Sequence, residues 1–326
     1  MSLVLVLLAL PVLVCTGLAW FTHRTARRIE AFMPARGRFV DVPGARLHVR
    51  ESGDGAGPAI LLVHGLGGQS AHFDYGVADV LARTHRLVAV DRPGSGHSQR
   101  GPATKADLST QAAALAALID ALGLERPTVA GHSLGGAVAL TLALEHPDKV
   151  GALALVAPLT HVQDRPPAVF KALAIASPWL RTLFAWTLAT PGAIAGGKKV
   201  LAAVFAPESA PRDFAVKGGG MLSLRPRQFL AAASDMQALP AHMPALQARY
   251  AELSLPVGVL FGREDAILDW QRQGQGLLDK LPAARLRLVD GGHMLPVTQP
   301  QLVAEFIAQC ALAAQHADSL PARRDA

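Results

Sequence analysis

Apolar and polar positions divide the chain into stretches of different period. Arg38–Glu51 alternates on either side of Pro43-Gly44, the pattern of an antiparallel hairpin. Six later stretches read as buried strands: Ala59–Val63, Arg86–Val90, Thr128–Ala130, Val150–Ala157, Pro256–Phe261 and Ala284–Val289. Between them Thr110–Leu122, Ala137–Leu144, Gln271–Leu281 and Gln299–Gln315 carry helical periodicity. Strands that alternate with helices in this way build a mostly parallel sheet flanked by helices, so the sequence predicts an α/β fold.

The alternation stops after Pro158. Leu159–Leu255 holds helical segments interrupted at Pro178, Pro191-Gly192 and Gly218-Gly219-Gly220, with no convincing buried strand. It reads as a helical cap, 159–255, inserted into a core made of 38–158 and 256–315. The last stretch, 316–326, reads as a frayed tail. Phe170–Thr190 is poor in charge and carries Phe170, Trp179, Phe184 and Trp186. At least half of these aromatics are expected to pack the cap onto the core. The rest would line an apolar substrate passage facing a bilayer.

The first apolar run has another character. Leu3–Phe21 contains no charge, and at 1.5 Å per residue it would extend about 28 Å, close to the thickness of a bilayer's hydrocarbon. This predicts a transmembrane anchor over 1–21, with Trp20 and Phe21 at the interface and Pro11 tolerated inside. A basic juxtamembrane linker, 22–37, follows. Arg24, Arg27, Arg28, Arg36 and then Arg38 stand there against the single acid Glu30. Such a flank places the following domain in the cytoplasm. The competing reading is a cleaved signal, which would place the domain in the periplasm or outside. Against it, no Lys or Arg precedes the run and no A-x-A site follows it.

Chemistry concentrates where predicted strands end. Thr128–Gly136, TVAGHSLGG, has G-x-S-x-G between a strand and a helix. In so tight a turn the flanking residues need to lack a Cβ, which Gly131 and Gly135 provide. Ser133 Oγ then stands at a helix N-terminus, whose free N–H groups favour developing negative charge. His64-Gly65-Leu66-Gly67-Gly68 follows another strand, and there the N–H of Leu66 can join that of Leu134 in facing an oxyanion. Asp265 and His293 also follow predicted strands, so Ser133, Asp265 and His293 occur in the chain order of one known catalytic arrangement. Glu264 and Asp269 are alternatives to Asp265. His64, His97 and His132 flank the motifs and read as structural. Arg92 reads as a loop salt bridge, with an anionic substrate as its other possible partner.

These motifs, HGLGG, DRPGSGHS, GHSLGG, GREDAI and GGHMLP, resemble those of the α/β-hydrolase fold family, and of its capped serine members in particular. The resemblance covers Arg38 to Gln309. It implies Ser133 as nucleophile, His293 as general base, Asp265 as the acid that orients it, and the N–H groups of Leu66 and Leu134 as oxyanion hole. It implies hydrolysis of a small, lipophilic carboxylic ester, esterase- or lipase-like, with no metal or organic cofactor. C–C bond hydrolysis of ring-cleavage products and thioesterase or acyl-transfer activity are the alternatives. A non-catalytic scaffold on the same fold is disfavoured by the intact triad. Epoxide hydrolases and haloalkane dehalogenases of this fold carry Asp where Ser133 stands.

Composition excludes other classes. The chain of 326 residues is 51% hydrophobic and 17% charged, which rules out disorder and allows a large core. The formal charge of +6 is concentrated beside the first apolar run and in the cap, without a basic face interleaved with aromatics, so nucleic-acid binding is not expected. Cys15 and Cys310 do not read as a pair, and two cysteines are too few for a zinc cluster.

Overall fold

A computed structural model describes residues 3–55, 57–163 and 167–319. Among these, nine strands form one sheet: β1 (Arg38–Val42), β2 (Ala45–Ser52), β3 (Gly57–Val63), β4 (His85–Val90), β5 (Gln99–Arg100), β6 (Thr128–His132), β7 (Ala152–Val156), β8 (Val257–Gly262) and β9 (Arg285–Val289). Their order is β1-β2-β4-β3-β6-β7-β8-β9, with β5 paired to β2. The pairs among β1, β2, β4 and β5 are antiparallel, and every pair from β4 across to β9 is parallel. The helices are α1 (Leu3–Phe32), α2 (Val77–Leu81), α3 (Leu108–Ala121), α4 (Leu134–Glu145), α5 (Pro178–Phe184), α6 (Thr190–Phe205), α7 (Pro226–Ala248), α8 (Gly276–Lys280), α9 (Leu295–Thr298) and α10 (Pro300–Ser319).

The two-residue period of a strand explains why the central runs are apolar throughout. Leu61 and Val63 of β3 point to one face, where they join α3 and α4 residues such as Leu115 and Leu140. Ile60 and Leu62 point to the other, where they meet Val77 of α2 and Val303 and Ile307 of α10. Every strand end on the parallel side is thereby held between two packed layers, and loops leaving those ends inherit that rigidity.

The cap runs as helices with no strand among its described residues. Pro178 opens α5 as a break should, but the second proline break differs from expectation. Pro191-Gly192 does not end a helix: a π-helical turn, Ala185–Ala189, joins α5 to α6. Proline removes one N–H and crowds the carbonyl four residues back, and a widened turn just before it accommodates both. Of the four cap aromatics, Phe170 packs toward the core and Phe184 meets Phe229 with ring centroids 5.3 Å apart. Trp179 is 67% exposed and Trp186 39%.

The N-terminal segment departs most from its expectation. It is a helix, but it does not stop at Phe21; α1 continues to Phe32 through most of the stretch expected to be a linker. Thr22, Ala26 and Ile29, spaced i, i+4 and i+7, bury one stripe of it. That half packs against the π-helical turn and α6 of the cap. Glu30 approaches Arg225 and Arg227, 3.8 Å from each. The arginine-bearing turns are thus a docked protein helix. Among the described residues no single helix is long and apolar enough to cross a membrane, so the predicted span is not supported. The cap segments Ala168–Ala174 and Pro178–Phe205 reach that length and apolarity only together, bent by 117°. At the other end α10 reaches Ser319, and 320–326 of the expected tail lie outside the described residues.

Candidate active site

The turn from β6 into α4 is strained at one residue. Ser133 has φ 54° and ψ −121°, a left-handed conformation that only a tight surround maintains. Its N–H donates to the Val156 carbonyl at 3.1 Å, and its carbonyl accepts from Gly136 and Leu159, both at 2.9 Å. The motif's glycines are sterically required. A Cβ at Gly135 would lie 2.3 Å from the Val63 carbonyl oxygen, and one at Gly131 would lie 2.5 Å from that of Gly135. The HGLGG loop passes as closely: a Cβ at Gly65 would sit 2.9 Å from Ser133 Cβ. Leu66 and Leu134 therefore flank Ser133, the first from the end of β3 and the second as the first residue of α4.

Asp265 and His293 meet across the ends of β8 and β9. His293 Nδ1 lies 2.7 Å from Asp265 Oδ2, with both side chains buried. Asp265 Oδ1 accepts from the N–H groups of Ile267 and Leu268 at 2.8 and 2.9 Å, which fixes the carboxylate plane. Two of its oxygens thus serve three donors, the environment that keeps a buried carboxylate paired. The alternatives are engaged elsewhere. Glu264 accepts from the Gly291 N–H at 2.5 Å, and Asp269 accepts from Arg272 N–H at 2.7 Å as an exposed turn cap.

His132 ties the two halves together. Its Nε2 is 2.9 Å from the His293 carbonyl oxygen, and the two rings lie 4.9 Å apart, so the residue beside Ser133 holds His293 in place. Burial, and then the neighbouring His293, push the His132 pKa well below the ordinary range and keep it neutral. No hydrogen bond joins Ser133 Oγ to His293 among the described residues. Catalytic contacts of this kind are commonly long until substrate binds.

The other flanking histidines are engaged within the protein. His64 is neutral because of burial and the charge of Arg92. Its Nδ1 bonds the Gly65 carbonyl at 2.8 Å and its Nε2 takes the Arg92 backbone N–H at 2.9 Å. His97 stacks edge-on against His48 and donates its backbone N–H to Asp91. Asp91 itself is a buried hub that also accepts from His48 Nδ1 and the Ser70 N–H. Burial would raise its pKa, but the hydrogen bonds from His48 and the His97 N–H outweigh this and hold it ionised.

Ser133 opens onto a cavity of about 200 Å³, whose walls include Leu66, Leu134, Ile267 and, from the cap, Phe170 and Met236. Besides Ser133, three polar side chains, His161, Gln163 and Gln237, interrupt this largely apolar wall. Gln163 already donates to the Ile267 carbonyl at 3.0 Å, and burial lowers His161 to about 4, leaving it neutral. None of these three is singled out by the sequence pattern. Only proximity to Pro158, where the strand pattern ends, could have singled out His161 and Gln163.

Residues 58–300 match the sequence profile described as the alpha/beta hydrolase fold. The dihydrolipoyllysine-residue acetyltransferase component of the acetoin cleaving system of Cupriavidus necator is 38% identical over 122 residues, which are 37% of this chain and 32% of that protein. The 2-hydroxymuconate semialdehyde hydrolase of Pseudomonas sp. strain CF600 is 33% identical over 125 residues, 38% of this chain and 44% of that enzyme. The chain thus covers less than half the length of either relative. Among solved structures, carboxylesterase CesB of Bacillus subtilis shares the fold at TM-score 0.64 with 19% identity, over 90% of this chain and 98% of that one.

Proposed function

The chain belongs to the alpha/beta hydrolase fold family, and from that premise we propose that it is a serine hydrolase cleaving a lipophilic carboxylic ester through an acyl-enzyme on Ser133. The observation that carries this reading is the buried His293–Asp265 pair, tied through His132 to the strained turn whose Ser133 lines an apolar cavity. In this account His293 Nε2 takes the Ser133 proton as Oγ attacks the ester carbonyl carbon. The carbonyl oxygen becomes an oxyanion facing the N–H groups of Leu66 and Leu134. Preorganised donors of this kind are worth about 3–4 kcal/mol each where they have been removed. Asp265 holds the imidazole in the Nδ1–H tautomer and stabilises the imidazolium. His293 returns the proton to the departing alcohol, and water then repeats the sequence on the acyl-enzyme.

Arg92 weighs between this and C–C bond hydrolysis of a charged ring-cleavage product. It is fully buried on protein partners and is absent from the cavity wall, so it offers nothing to an anionic substrate. Thioesterase and acyl-transfer reactions would use the same acyl-enzyme and differ only in leaving group or acceptor. Turnover of short- and medium-chain p-nitrophenyl esters tests the proposal. Ser133→Ala should lower it by about 10⁴-fold or more, and an equally active variant would overturn the assignment.

We also infer that the N-terminal helix holds the enzyme at a membrane, with the domain on the cytoplasmic side. In support, Leu10, Val12, Leu13 and Trp20 are exposed on α1, and its docked half adjoins a cap that exposes Trp179 and Leu188. Arg24, Arg27 and Arg28 follow the apolar half, as suits anionic lipid headgroups. The full chain should float with phosphatidylglycerol vesicles and its domain should resist protease in intact cells. A chain that stays with the soluble fraction would contradict the first inference, and digestion from outside the second.

A further inference from the structure

Arg92 is one of the largest fully buried side chains among the described residues, and the mechanism above does not use it. Its guanidinium is a hub. Nε donates to the His64 carbonyl and Nη2 to the Gly65 carbonyl, both at 2.9 Å. Nη1 donates to Gln111 Oε1 at 2.6 Å and to Asp235 Oδ2 at 2.8 Å. Gln111 lies on α3, and Asp235 lies on cap helix α7, which also supplies Met236 to the cavity wall. The second oxygen of Asp235 accepts from Arg100.

The consequence lies in the peptide plane. The Gly65 carbonyl and the Leu66 N–H belong to one planar trans peptide, so they point in opposite directions and turn together. Three donors hold that carbonyl: Arg92 Nη2, His64 Nδ1 at 2.8 Å and the Gly68 N–H at 3.2 Å. No carbonyl among the described residues takes up the Leu66 N–H. Glycine on one side and Gly67-Gly68 on the other leave this loop little stiffness of its own. A charged, two-pronged donor on consecutive carbonyls is the strongest constraint that acts on it.

We propose that Arg92 is a positioning residue that aims the Leu66 N–H into the oxyanion hole by clamping the His64 and Gly65 carbonyls, and that Asp235 locks the clamp to the cap. This rests on the serine-hydrolase reading of Ser133. The cap and the oxyanion hole are then set as one unit, through a bond between residues far apart in sequence.

The test compares wild type with Arg92→Lys, Arg92→Met and Asp235→Asn, each normalised to active sites titrated with a fluorophosphonate. Losing an oxyanion donor outright costs about 10²–10³ in kcat. A misaimed donor should cost Arg92→Met about 10–100-fold in kcat with KM changed less than about threefold. Arg92→Lys, which keeps the charge but not the fork, should recover part of this. The affinity of a trifluoromethyl ketone ester analogue, which becomes an oxyanion on Ser133, should fall in parallel with kcat/KM. If the Arg92 variants do not fold, Asp235→Asn remains, and about a threefold to tenfold loss in both quantities is expected of it. Unchanged kcat and ketone affinity per titrated site, or a loss confined to KM, would overturn the clamp. A wild type that neither turns over esters nor reacts with the fluorophosphonate would instead remove the hydrolase reading, and the clamp with it.

Discussion

The sheet's carboxyl edge and the cap are built on opposite principles. At the edge, each candidate catalytic residue is over-determined. Ser133 is held by three backbone hydrogen bonds, Asp265 by three donors, and His293 through its ring and its carbonyl. In the cap, most of the cavity wall, with Phe170 and Met236 in it, is apolar side chain that touches without directional bonds, and tryptophans stand exposed outside it. The difference separates two jobs. A fixed edge sets which bond-making step is available, whereas a wall of dispersion contacts sets which molecules fit.

The contrast can be broken most directly at the edge. Asp265→Asn should lower kcat by about 10³–10⁴ with the fold intact, because the amide favours the wrong imidazole tautomer. Asp269→Asn, at an exposed turn cap, should stay within about threefold of wild type. Equal losses in the two would return the acid role to the open question posed by the sequence. Gly135→Ala comes next. Its new Cβ would meet the carbonyl oxygens of Val63 and His64 at 2.3 and 2.7 Å, backbone atoms that have no room to move. A loss of about 3 kcal/mol in urea-measured stability is expected, and a wild-type midpoint would show that the turn is looser than its contacts imply.

A cap substitution should behave differently. Phe170→Ala enlarges the apolar wall without touching Ser133. It should shift the preference between short and longer acyl chains by about tenfold, with kcat on the short ester within about threefold. A general loss on all esters would mean that the cap shapes the reacting centre as well. A last effect is on pH. His64 and His132 are kept neutral in the fold by burial, so their pKa values lie well below the ordinary one. Below about pH 6.5 the unfolded chain takes up protons that the fold refuses, so stability falls as pH drops and is fully present above that range. The slope should approach about 1.4 kcal/mol per pH unit for each histidine. Urea midpoints that do not move between pH 7 and 5 would contradict it.

Why the edge was readable and the cap was not follows from the same contrast. Gly131, Ser133 and Gly135 are neighbours in sequence, and their steric requirement is local, so the turn is written in five residues. Asp265 and His293 each close a strand whose apolar run is visible. The bond from Arg92 to Asp235 joins residues 143 positions apart, and no local pattern announces it. The π-helical turn before Pro191 is a compensation of a few dihedral angles, whereas the sequence shows only the breaker. For α1 a signal existed. The stripe Thr22, Ala26, Ile29 has helical spacing and carries the helix past Phe21 into the arginine-bearing stretch.

The most direct test of the central claim is mass spectrometry of protein acid-quenched during turnover of a slowly deacylated p-nitrophenyl ester. The account predicts one acyl group per chain, located on the peptide containing Ser133 and absent from Ser133→Ala. Steady turnover with no acylated peptide, or an acyl group on another residue, would contradict it.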